Sequence, residues 1–205
     1  MDQANGNGRH TRRDAQRNLE RVLAAAHALF AERGTDVTMD EVARRAGVGV
    51  GTIYRRFPSK EHLVAAVSHA ACNQTRDYLI AAVASAPDPL QQLRMLVLVQ
   101  YQHAADQAAL FELRPAGDGA CGGAAPEWQQ QLYDTQHRLF RQVIAAGQQQ
   151  GRLHAGDPDV LAALCLALVS PRAFEQLARV AGPGSADLAE HVVQFVLAGL
   201  GSRAG

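Results

Sequence analysis

Between Thr38 and Lys60 the chain runs TMDEVARRAGVGVGTIYRRFPSK, two short helical patterns joined by a tight turn and closed by a lysine. Thr52, Arg55 and Arg56 fall on the outward side of the second pattern, with Tyr54 at its edge, while Ile53 and Phe57 fall on the inward side. Hydroxyl and guanidinium donors displayed along one short helix, with an ammonium group just beyond, suit the gripping of phosphates and the reading of base edges in DNA. Such chemistry needs a rigid support, and the flanking residues supply its parts.

Thr38 stands three residues before Glu41, the spacing of a capping box in which each side chain satisfies a free backbone N–H of the helix start. A helix is therefore predicted from Met39, with Val37 and Val42 placed as a hydrophobic staple and Val42, Ala43 and Ala46 as its buried face. Gly47 follows, where a turn needing positive φ costs a glycine least, and Val48 is placed to plug the angle between the helices. The second helix is read from about Gly49 to Phe57 and stopped by Pro58. Thr38 has a structural duty whether or not DNA is present.

These residues resemble the DNA-binding domain of the TetR family of transcriptional regulators, whose signature runs A-G-V-x-x-G-T-hydrophobic-Y-x-x-F-x-x-K. Ala46, Gly47, Val48, Gly51, Thr52, Ile53, Tyr54, Phe57 and Lys60 occupy those places. The resemblance implies an all-α, nine-helix fold: an N-terminal three-helix helix-turn-helix domain, then a C-terminal helical domain for ligand binding and dimerisation. It implies phosphate-side contacts from Thr38, Thr52, Tyr54 and Lys60, with Gly51 letting the backbone come close. Arg55, at an exposed and variable position of the pattern, is suited to the O6 and N7 of a guanine. Two positions depart from the common pattern: Gly49 replaces a frequent capping serine, leaving helix N–H groups open to a phosphate oxygen, and Val50 replaces a polar residue and suits a thymine methyl. Upstream, Arg9, Arg12, Arg13 and Arg17 are either a basic arm reaching a minor groove or a solvated tail, and the residues leave both open. Arg44 and Arg45 read as a solvated helix face, and Arg56 as a surface ion-pairing residue.

The 205 residues carry no formal net charge, yet residues 1–60 hold eleven Lys and Arg against seven Asp and Glu, so a basic head precedes an acidic remainder. Lys60 is the only lysine. Three scattered cysteines, Cys72, Cys121 and Cys165, suit a reducing compartment, and a cytoplasmic location is expected. The longest apolar run, Val160 to Val169, is about half the ~20 residues of a bilayer span, so no membrane partner is expected. No G-x-S-x-G, H-E-x-x-H or phosphate-cradling glycine loop occurs, and neither an enzyme nor a cofactor is expected. His69 and Cys72 share a helix face, but two ligands make a weak metal site, so none is assigned. A metal-responsive or protein-binding regulator of the same fold is the alternative function.

Domain boundaries follow from periodicity. Residues 1–10 read as a disordered tail, 11–60 as the helix-turn-helix domain with its motif at about 38–57, residues 60–84 as a fourth helix joining it to the rest, and 85–205 as an effector-binding and dimerisation domain. Within that body a fifth helix spans Leu90–Ala104, its centre Met95 to Val99 apolar all round and so expected to be buried, and a short sixth spans Asp106–Leu113. Residues 115–126 form a loop, Glu127–Gln150 a seventh helix with Trp128 inward, Asp157–Val169 an eighth, and Ala186–Leu200 a ninth, with Arg172–Val180 a possible extra segment after Pro171.

The resemblance further implies a homodimer, a palindromic double-stranded operator and a small-molecule effector. Leu161, Leu164, Leu168, Leu188, Val192, Phe195 and Val196 are the expected dimer contacts, because the last helix carries two apolar stripes and its own subunit cannot bury both. Tyr101, Phe111, Trp128, Tyr133, His137, Phe140 and Phe174 are the expected effector contacts, although aromatics at helical spacing also serve as core and His137 also reads as a core histidine.

Overall fold

The computed structural model describes residues 6–111, 126–182 and 188–201. They form nine α-helices: α1 (Gly6–Arg33), α2 (Met39–Ala46), α3 (Val50–Arg56), α4 (Lys60–Ser85), α5 (Pro89–Phe111), α6 (Glu127–Gln149), α7 (Pro158–Leu168), α8 (Pro171–Ala181) and α9 (Leu188–Leu200). Among these residues the only extended pairing is an isolated antiparallel bridge between Leu153 and Gly201. Contacts divide the chain into two compact units, Met1–Ala70 with Ala109–Cys121, and Ala71–Ala108 with Gly122–Gly205, so the division falls inside α4.

In the first unit α1 buries Val22, Ala25, Ala26, Leu29 and Phe30, a helical period that ends at Arg33. Gly34 follows with φ of +59°, and a 3-10 turn, Gly34–Asp36, leads to α2. Val37 and Val42 are both buried, as a hydrophobic staple requires, and α2 adds Met39, Ala43 and Ala46 to the same core. At its end Gly47 takes φ of +64°; its N–H donates to Arg44 O at 3.2 Å and that of Val48 to Ala43 O at 3.0 Å, the two bonds of a Schellman motif. Ile53 and Phe57 of the next helix and Leu63, Val64 and Val67 of α4 complete the buried set.

The second unit has its own core, in which Leu93, Leu96 and Val97 of α5 meet Phe140, Val143 and Ile144 of α6, Ala162 and Cys165 of α7 and Val193 and Val196 of α9. Asp157 caps α7, accepting from Asp159 N at 2.9 Å, and Ser170 caps α8, accepting from Ala173 N at 3.2 Å. Gly151, with φ of +67°, follows α6. No single described helix is long and apolar enough to cross a membrane; α7 and α8 reach that composition only as a pair bent by 49°, and Ala162, Cys165 and Leu166 of α7 are buried in protein.

Several boundaries differ from expectation. Helical backbone begins at Gly6 rather than near Thr11, because propagation needs only local hydrogen bonds and no proline interrupts the segment; residues 1–5 of the expected tail lie outside the description. The expected fifth and sixth helices are one, since nothing between Ala104 and Asp106 breaks a helix. The segment after Pro171 is a helix in its own right, because Ser170 and Pro171 form a complete N-terminus. Met95 is 38% exposed although its neighbours Leu96 and Val97 are fully buried, so α5 keeps an apolar side chain off the core; Trp128 is only partly buried.

Gly47→Ala is expected to lower stability by ~1–2 kcal/mol in urea unfolding, from a left-handed Cβ penalty and from contact of that Cβ with the Arg21 guanidinium, 2.6 Å away. Gly51→Ala, whose Cβ meets nothing within 4 Å, should be far milder.

Candidate nucleic-acid interface

The turn into α3 is held by side chains of α1 and α2, and α3 itself is held by its buried Ile53 and the following Phe57. Arg21 of α1 donates through Nη2 to Ala46 O and, at 3.2 Å, to Gly47 O, capping carbonyls that α2 leaves open at its end. Glu41 accepts from Thr38 N at 2.9 Å, from the Thr38 hydroxyl at 3.0 Å and from Arg33 Nη1 at 2.7 Å, while Glu41 N donates back to Thr38 Oγ1 at 3.3 Å. The Thr38 backbone bond, then the Arg33 bond, hold the Glu41 carboxyl down at about 2. Arg45, on the exposed face expected of it, makes a two-pronged bond to Glu32 of α1, both arms 2.7 Å, and so ties α2 to α1. These arginine contacts join residues 8 to 26 positions apart across turns, where spacing rules for single helices say nothing.

Against that support α3 leaves its outer face open. Gly49, Val50, Gly51, Thr52, Tyr54, Arg55 and Arg56 are all exposed, whereas Ile53 and the following Phe57 are buried. Gly49 is the N-cap of α3, and no side chain bonds its first N–H groups. The Arg55 guanidinium lies 3.4 Å from Thr52 Oγ1, so two of the expected DNA-facing groups stand together one turn apart. No ion pair engages Arg44, Arg55 or Arg56 among the described residues; Arg56 is thus not the salt-bridging residue it was read as. Lys60, half-buried, opens α4. Thr38 is exposed, with its hydroxyl engaged on both sides by the capping box. The outer side of α3 continues into a groove of about 700 Å³ shared with α1, lined by Asn18, Leu19, Thr52, Arg55 and Phe57 among others. Of the upstream arginines, Arg17 lies 3.9 Å from Asp14 and both are well exposed, while the Arg9 and Arg12 side chains fall outside the description.

The remaining expected site residues separate into groups. Tyr101 is buried and meets Phe174 edge-on, centroids 5.2 Å apart. Tyr133 is half-exposed and stacks on His137 at 6.1 Å, and His137 Nε2 lies 3.1 Å from Asp159 O. Phe140 is fully buried in the body core, and the Phe111 side chain lies outside the description. Among the expected dimer contacts Leu164, Leu168 and Phe195 are exposed, joined by Val160; Leu161 and Leu188 are partly buried, and Val192 and Val196 belong to the protomer's own core. The body thus buries one stripe of α9 and leaves Phe195 outside. Cys72 and Cys165 are buried, and burial pushes the Cys165 thiol up to about 11, which makes it a poor nucleophile. No group of three or more possible metal ligands occurs among the described residues.

Comparison with known proteins agrees with this geometry. Residues 22–67, from the middle of α1 into α4, match the family described as bacterial regulatory proteins, tetR family. An HTH-type transcriptional regulator of Staphylococcus aureus is 28% identical over 137 residues, covering 63% of this chain and 71% of the relative. The solved TetR transcription regulatory protein from Mycobacterium vanbaalenii is 28% identical, with TM-score 0.63 over 93% of this chain and 99% of that one. A TetR transcriptional regulator from Streptomyces coelicolor is 25% identical, with TM-score 0.68 over 90% and 99%.

Because the Glu41 carboxyl is held at about 2, its contribution to the head is present above the ordinary carboxylate range and is lost as pH falls toward 2. Acid unfolding followed by circular dichroism should show Glu41→Gln less stable than the parent at pH 7, with the gap closing as pH falls below about 4.

Proposed function

The chain belongs to the TetR family of DNA-binding transcriptional regulators, and from that premise we propose that it is a ligand-responsive homodimeric repressor, released from a palindromic operator by a small molecule. The observation that carries this reading is the exposed outer face of α3, with Thr52, Tyr54 and an Arg55 that has no ion pair among the described residues, on a motif held in place by Arg21, Arg33 and Arg45. In the major groove Arg55 reads a base, Thr52, Tyr54, Lys60 and the open N-terminus of α3 at Gly49 hold phosphates, Gly51 allows close approach, and Val50 meets a thymine methyl. Thr38 acts by aiming α2 and offers the backbone side of the motif to a phosphate.

The exposed apolar side chains Val160, Leu164 and Leu168 on α7 and Phe195 on α9 support a twofold contact with a second copy. Two copies present two α3 helices, hence an operator with two half-sites. The body then serves as the effector-binding part, and an effector that binds one relative arrangement of the two heads better than the other shifts the population away from DNA. A DNA-bound role places the protein in the cytoplasm.

Titration against duplex DNA flanking its own gene, at several salt concentrations, tests this reading. Two protomers per operator are expected. Lys60→Ala should weaken all sequences and reduce the salt slope by about one unit, whereas Arg55→Ala should relax preference at one base position by ~1–3 kcal/mol. No sequence preference in the parent protein, or one protomer per site, would refute it.

A further inference from the structure

The interior of the body contains a hydroxyl that the fold does not use. Tyr101 of α5 is only 5% exposed, and its Oη is shut from solvent with no hydrogen-bond partner among the described residues. Burial also raises its pKa, so the phenol stays neutral and keeps its proton. Three other buried polar side chains of the body are spoken for: Gln136 Nε2 donates to Gln100 Oε1 at 3.0 Å, and Thr75 Oγ1 donates to Ala71 O at 3.0 Å. A buried donor left unmatched is costly, and proteins keep such groups where a partner arrives to use them.

What surrounds the hydroxyl limits that partner. The Tyr101 ring stands edge-on to Phe174 of α8, at 61°. Helix α8 buries no residue of its own; Phe174 and Leu177 only partly cover the core. A molecule that slips between the two rings would thus displace a lightly held helix. No charged side chain is buried among the described residues, and the body's Arg94 and Arg141 are matched at the surface by Glu190 and Asp159. A charged guest would find no buried counter-charge among the described residues.

We infer that the effector is a neutral, mainly apolar molecule carrying an oxygen acceptor, a carbonyl or ether, which takes the proton of Tyr101 while its apolar part lies against Phe174. The inference rests on the reading of the body as an effector-binding part.

Calorimetric titration of the full chain and of Tyr101→Phe with three probes sharing one ring tests it: acetophenone with an acceptor, ethylbenzene without one, and benzoate with a charge. Acetophenone should bind Tyr101→Phe at least about ten-fold more weakly than the parent, the loss of one hydrogen bond, with ethylbenzene unchanged and benzoate weakest on both. Without a probe, Tyr101→Phe should melt at or above the parent temperature, since it deletes an unmatched group. The inference is overturned if acetophenone binds both proteins alike or neither, if benzoate matches acetophenone, or if the variant melts lower, which would mean the hydroxyl already has a partner. These failures separate from failure of the underlying reading: should a charged compound release DNA equally from parent and variant, the body is still an effector domain, whereas no release by any compound of a broad panel, charged and neutral, removes that reading itself.

Discussion

Arg21 reaches from α1 to two carbonyls at the end of α2, so a single side chain joins the two helices at the turn that leads to α3. The end of α2 must turn through Gly47 in a left-handed conformation, which leaves carbonyls without helical partners; the Schellman bonds satisfy some, and a guanidinium from another helix satisfies others. At the opposite end of α2 the capping box and the Arg33 bond to Glu41 fix the entry. With both ends of α2 held, the start of the turn is fixed, and burial of Ile53 decides which side of α3 faces out.

Charge is divided to match. Arg21, Arg33 and Arg45 hold carbonyls and carboxylates within the head, while Arg44, Arg55 and Arg56 have no ion pair among the described residues. Exposed ion pairs contribute little each to stability, so the value of the first set lies in geometry: forked donors set helix positions. The second set gives the head its attraction for a polyanion, and the remainder of the chain, which is acidic, does not share it.

Local chemistry was readable and long-range chemistry was not. The capping box at Thr38, the staple of Val37 and Val42, the left-handed turn at Gly47 and the buried Ile53 and Phe57 all follow from neighbours within four residues, and each stands where spacing put it. Arg21, the Arg45 to Glu32 fork and the Arg94 to Glu190 fork were missed because their partners lie 13 to 96 residues away. In the body, alternating apolar residues do not state which stripe meets which helix: Val192 and Val196 point into their own subunit while Phe195 points out. Likewise nothing in the spacing of Tyr101 marks its hydroxyl as unmatched among the described residues, since that depends on what other helices bring near it.

Hydrogen exchange by mass spectrometry, with and without duplex DNA from the flank of its own gene, tests the central claim most directly. Amides of α3, from Val50 to Arg56, should exchange at least about ten-fold more slowly in the complex, with α6 unchanged. Slowing confined to the body, with α3 exchanging as in the free protein, would contradict the account.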